Sequence, residues 1–121
     1  MAANLADKTC IPCRGGIPPL TASVAKELLA EAPSWTLAGD ARQIERTFRF
    51  PNFQKAMDFV VKIGELAEAE GHHPDIRFGW GYATVSLNTK KIKGLHENDF
   101  IMASKIDRLL DHSGRPLDRQ Q

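Results

Sequence analysis

His72 and His73 stand side by side between Gly71 and Pro74, with Glu68 one helical turn before them and Asp99 further along the chain. Histidine has an unperturbed pKa of ~6.5, so it can hold or release a proton near neutrality. With Glu68 one turn upstream and Asp99 at the start of a later helix, general acid–base chemistry is what these residue types could perform. Spacing alone leaves a second reading open, in which the histidine pair is a solvated helix end, Glu68 a solvated helix residue and Asp99 a stabiliser of a helix N-terminus. Other chemistries have less support. The pair lacks the i, i+4 spacing of a helical zinc site, no glycine-rich phosphate loop occurs, and no serine or cysteine has the setting of a nucleophile.

The elements that must position these residues follow from periodicity and punctuation. Thr21 caps a helix through Ala22–Ala32, with Val24, Leu28 and Leu29 on one face and Pro33 as its end. Residues 34–50 are expected to form a hairpin around Ala38–Ala41, in which Trp35 and Leu37 alternate and Ile44, Phe48 and Phe50 recur at even spacing. Arg46 shares that face and needs a partner or an opening. A second helix runs from about Pro51 to Glu70, capped by Asn52 and carrying Phe53, Met57, Val60, Ile63 and Ala67 toward the sheet. Gly71 stops it, which puts His72 and His73 just past a helix C-terminus.

Two more strands follow, one with Ile76, Phe78 and Trp80 alternating and one with Ala83, Val85 and Leu87, joined across Gly81. Residues 95–114 form the last helix, with Phe100, Ala103, Ile106 and Leu110 inward and Gly114 as its stop. The order α-β-β-α-β-β-α predicts an α+β fold: a four-stranded antiparallel sheet with three helices packed on one face.

At 121 residues and 42% hydrophobic content the chain supports one modest core. The predicted division is an N-terminal tail 1–19 packed over the domain, a domain 20–112 that holds the core and the site, and a C-terminal tail 113–121. The 16 Lys+Arg nearly cancel the 15 Asp+Glu, which argues against direct nucleic-acid binding. No apolar run is long enough for a signal peptide or a membrane span, so a soluble, cytoplasmic protein is expected. Cys10 and Cys13 make one C-x-x-C, half the ligand set of a tetrahedral zinc; inert tail cysteines, a metal shared between subunits and a redox pair all stay open.

Glu68, His72-His73-Pro74, Trp80, Gly94-Leu95 and Asp99, at these spacings, resemble the signature of the pterin-4a-carbinolamine dehydratases. Trp35 and the stretch FRFPNFQKAMDFV support the likeness, which covers about Leu20 to Asp111. The resemblance implies removal of water from 4a-hydroxytetrahydropterin, giving quinonoid dihydropterin in the recycling of tetrahydrobiopterin for aromatic amino-acid hydroxylation, without metal or organic cofactor. It implies His72 as the acid–base residue, His73 and Pro74 in the pterin pocket, Glu68 orienting His72, and Asp99 bracing the site. Thr89 and Trp35 join as substrate-binding residues, Trp35 as an aromatic wall. Lys90 occupies the position of a third family histidine and counts as a catalytic candidate of altered type. Self-association as a dimer or tetramer is implied too. The alternative from the same resemblance is a non-catalytic relative that binds protein, of the RuBisCO assembly or transcriptional cofactor type.

Overall fold

The computed structural model describes residues 5–11 and 15–110. Cys13 and the expected stop at Gly114 lie outside them. A short 3-10 turn at Leu5–Asp7 precedes α1 (Ala22–Leu29), β1 (Thr36–Ala38), β2 (Gln43–Arg49), α2 (Phe53–Glu70), β3 (Asp75–Gly79), β4 (Tyr82–Leu87) and α3 (Glu97–Asp107). The expected α-β-β-α-β-β-α order and the α+β class hold. All strand pairs are antiparallel, in the spatial order β1-β2-β4-β3. Among the described residues no helix is long and apolar enough to cross a membrane.

Register explains which sheet face is buried. Ile44 lies opposite Leu87, Arg46 opposite Val85 and Phe48 opposite Ala83, while Ile76 and Phe78 of β3 face Val85 and Ala83 from the other side. Because side chains alternate along a strand, these residues share one face. It meets Phe59 and Ile63 of α2 and Phe100 and Met102 of α3 in one continuous core. Arg46 sits on the same face and finds its partner in Asp107 at 2.7 Å, with its guanidinium 4.4 Å from the centre of the Phe48 ring.

Several packing expectations need correction. The buried stripe of α2 is Ala56, Phe59, Ile63 and Ala67, so the helix is turned relative to the expected face. Phe53, at the first helical position, is 44% exposed and rests on Phe78 with ring centroids 5.5 Å apart. In α1 it is Ala25 that is buried while Val24 is exposed. Trp80 does not alternate inward: β3 ends at Gly79, Trp80 and Gly81 form the hairpin turn, and the indole is 71% exposed. Gly81 takes φ 81°, which a side chain would resist at this two-residue turn. The last helix ends at Asp107, capped by Arg108, seven residues before Gly114, and Leu110 beyond it is only half-buried.

The N-terminal arm goes deeper than a tail laid over a finished domain. Leu5 and Ala6 are buried against α3, and Leu5 belongs to the main core. Lys105 Nζ donates to the Ala6 carbonyl at 3.0 Å, and Lys8 pairs with Glu97. With the sheet on one side and this arm on another, α3 buries nearly all of its first two turns, from Asn98 to Ala103.

Candidate active site

The end of α2 is set by glycine. Gly71 adopts φ 69°, and its N–H and that of His72 both donate to the Ala67 carbonyl, at 2.9 and 3.3 Å. This left-handed cap turns the chain so that the next side chain leaves the helix and runs toward the start of α3. There His72 Nε2 lies 2.6 Å from Asp99 Oδ1. The imidazole is 12% exposed and the carboxylate 0%.

Asp99 is held from three directions. Besides His72, its Oδ2 accepts the Thr89 hydroxyl at 2.9 Å and the His96 N–H at 3.0 Å. The last contact is half of a reciprocal helix cap, since His96 Nδ1 in turn accepts the Asn98 N–H at 3.0 Å. Capping the helix and bracing the histidine, which the spacing left as alternatives, are here two duties of one carboxylate. Thr89 is fixed in its turn by backbone bonds to Gly94, in a bridge that closes the 3-10 turn Lys90–Ile92.

The partners of the two histidines differ from expectation. Glu68 does not touch His72; it meets His73, Oε2 to Nε2 at 2.5 Å, in an exposed pair. Helix geometry explains the exchange, because the αL turn at Gly71 swings His72 under α3 and leaves His73 on the solvent side with Glu68. Lys90 reaches the exposed carboxylate of Asp75 at 3.3 Å. Trp35 is not part of this arrangement. It is buried at the other end of α3, donating Nε1–H to both Asp107 oxygens at 3.0 and 3.1 Å and packing edge-on against Phe48. Eight residues of helix, about 12 Å, separate Asp107 from Asp99.

Between the elements lies a cleft of about 360 Å³, within the range of small-molecule sites. His72, His73, Thr89 and Lys90 line it, together with Ile11, Gly71, Asn88, Lys91 and Asn98. Glu68, Pro74 and Asp99 stand behind or beside this lining. Sequence reasoning missed Ile11, Asn88, Asn98 and the capping role of His96. Nothing local marks Ile11, whose neighbour Asn98 is 87 residues away.

Electrostatics around the cleft are shaped by the arm. The Cys10 N–H donates to Glu70 Oε1 at 2.9 Å and, with Lys105, holds that carboxyl below the usual range against the opposing effect of burial. Burial first, then the Glu70 charge, pushes the Cys10 thiol up to about 12, so it stays a thiol at neutral pH. At the far end of α3, burial raises the Asp107 carboxyl despite the opposing hydrogen bonds of Trp35 and Arg46. Among the described residues no three His, Cys, Asp or Glu side chains converge as a metal site would require.

Comparison with known proteins supplies the remaining constraint. A sequence model described as "Pterin 4 alpha carbinolamine dehydratase" matches residues 18–109. A protein of Aromatoleum aromaticum named "Putative pterin-4-alpha-carbinolamine dehydratase" is 61% identical over 109 residues, covering 90% of this chain and 97% of its own. One of the same name from Methylococcus capsulatus is 60% identical over 108 residues, covering 89% and 95%. Among solved structures, a transcriptional coactivator/pterin dehydratase from Brucella melitensis aligns with TM-score 0.70 at 30% identity, covering 74% of this chain and 96% of that one. A pterin dehydratase-like protein identified as a RuBisCO assembly factor in the alpha-carboxysome aligns with TM-score 0.54 at 25% identity, covering 62% and 87%.

Proposed function

The chain belongs to the pterin 4 alpha carbinolamine dehydratase family, and from that premise we propose that it dehydrates 4a-hydroxytetrahydropterin with His72 as the acid–base residue. The observation that carries the proposal is the His72–Asp99–Thr89 chain, which ends on an imidazole at the wall of a cleft. In the reaction the N5 lone pair forms a C4a–N5 double bond while the C4a–O bond breaks. The oxygen leaves as water after gaining one proton, and the ring releases one proton. A single group that gives and takes protons serves both halves.

His72 suits that task. Its Nε2 is committed to Asp99, which leaves Nδ1 as the nitrogen for exchange. Asp99 cannot swing, because Thr89 and the His96 N–H hold its other oxygen. The imidazole is therefore oriented before substrate arrives, which removes part of the entropic cost of the proton transfer. His73, with Glu68 and Pro74 beside it, is assigned to the mouth of the pterin pocket, and Thr89 to holding Asp99. Self-association, through the open sheet edges β1 and β3 or a helix face, belongs to the same proposal.

Turnover of 4a-hydroxytetrahydropterin by the purified protein is the direct test. His72→Ala is expected to lower kcat by ~10²-fold, the scale of a lost acid–base group, while His73→Ala costs less. Wild-type turnover no faster than buffer would sink the reading. The second reading, a protein-binding relative without catalysis, is favoured by one feature: a lysine at position 90, where the family places a histidine. That reading would then stand in its place.

A further inference from the structure

Apart from Gly71 and Ile11, the described residues that line the cleft end in polar or charged groups. Among the described lining residues Ile11 alone brings a large side chain without a polar group, and Ile11 is 60% exposed. A single exposed isoleucine means little by itself. What distinguishes this one is how its backbone is held. The Ile11 N–H donates to Asn98 Oδ1 at 3.0 Å, and the Ile11 carbonyl accepts from Asn98 Nδ2 at 2.6 Å. The clamping carboxamide is buried, and one residue earlier the Cys10 N–H is tied to Glu70.

The placement of these anchors matters. Asn98 directly precedes Asp99, and Glu70 directly precedes the Gly71-His72 turn. The two elements that bring His72 to Asp99 therefore also grip the arm, and they present Ile11 in register with the pair. A side chain that gives both of its polar atoms to one backbone residue fixes a position rather than filling a core. A pterin has a polar edge and two flat apolar faces. Histidine, asparagine, threonine and lysine can bond the edge, and among the described lining residues Ile11 brings the largest side chain that is hydrocarbon throughout, suited to cover a face.

We propose that Ile11, held by Asn98, is a substrate-positioning residue: the arm's apolar wall, against which the bound pterin packs. The inference rests on the dehydratase reading. An apolar wall of this kind acts on ground state and transition state alike, so its loss appears in KM and binding rather than in kcat.

The test compares wild type, Ile11→Ser and Ile11→Leu in two assays: steady-state dehydration of 4a-hydroxytetrahydropterin, and calorimetric binding of an unreactive dihydropterin. Ile11→Ser is expected to raise KM and weaken binding by about tenfold, with kcat changed by less than about twofold, and Ile11→Leu to stay near wild type. Asn98→Ala should reproduce the KM effect and add nothing to Ile11→Ser, the pattern of two residues acting as one. Because Asn98 is buried and its variant could misfold, the exposed Ile11 substitutions carry the decision. Unchanged KM and binding in Ile11→Ser would overturn the proposal. A wild type that binds pterin without turnover removes the dehydratase reading and leaves calorimetry to decide the wall; a wild type that does neither removes both.

Discussion

His72 and Lys90 border the same cleft, yet their surroundings differ in kind. His72 is enclosed and bonded to a buried carboxylate, whereas Lys90 is mostly in water and shares an exposed ion pair with Asp75. Such a pair contributes little stability, so position 90 can be changed without cost to the fold. In the proposed dehydration, an ammonium beside a developing iminium cation is repulsive, while a neutral imidazole can exchange a proton near pH 7. Lys90→His is therefore expected to raise kcat by up to about tenfold near neutral pH, read from the initial rate of dehydration. An unchanged rate would mean that the side chain at 90 stays out with Asp75. A fall would make the lysine itself a proton carrier.

At the scale of elements, α2 delivers the histidines, and the glycine within it and the glycine that caps it separate helix propensity from capping. Gly71 ends the helix at φ 69°, and a Cβ added there meets nothing within 4 Å, so Gly71→Ala costs only backbone strain, about 1 kcal/mol. Gly64 lies in the middle of the same helix with equally open space and an ordinary backbone conformation. Gly64→Ala is expected to stabilise by about 0.5–1 kcal/mol, because alanine loses less chain entropy in a helix. Urea titrations of the two variants should shift their midpoints in opposite directions at unchanged m-value. A stabilising Gly71→Ala would show that the αL cap does not hold the His72 turn.

Across the whole molecule, the arm, the end of α2 and α3 are joined at Glu70, which accepts the Cys10 N–H and pairs with Lys105 at 3.6 Å. Its carboxyl is depressed below the ordinary glutamate value, chiefly by that N–H. Such a group contributes stability that is present above the unfolded pKa of ~4.3 and is lost as pH falls through the lower folded value. Asp107 has the opposite sign. Its raised carboxyl contributes stability below its unfolded pKa, and this is lost as pH rises through the folded value. Replacing Glu70 alone isolates the first effect. Glu70→Gln is expected to lower Tm by a few degrees at pH 7 and to reduce the fall in Tm between about pH 5 and pH 3, followed by circular dichroism. An acid limb as steep as that of wild type would mean that the Glu70 junction does not couple arm to core.

Local chemistry was legible in the chain itself. Gly71 as a helix stop, Asn52 and Thr21 as caps, and the alternation of β2 and β4 depend on neighbours a few residues apart, so the order of elements and the fold class follow from the chain alone. The spaced residues around His72-His73 likewise carried the family resemblance. Partnership across the fold was a different matter. Whether Glu68 or Asp99 meets His72 depends on which way the chain leaves the left-handed turn, and both carboxylates suit an imidazole equally well. Whether Trp35 faces a ligand or the core depends on where α3 puts Asp107, and an indole is at home in either. That Ile11 reaches the cleft required the arm to cross α3 and meet Asn98, a contact 87 residues long. Tertiary structure decided these cases because a hydrogen bond or an apolar contact has no memory of sequence distance, while periodicity and capping see only the nearest turns.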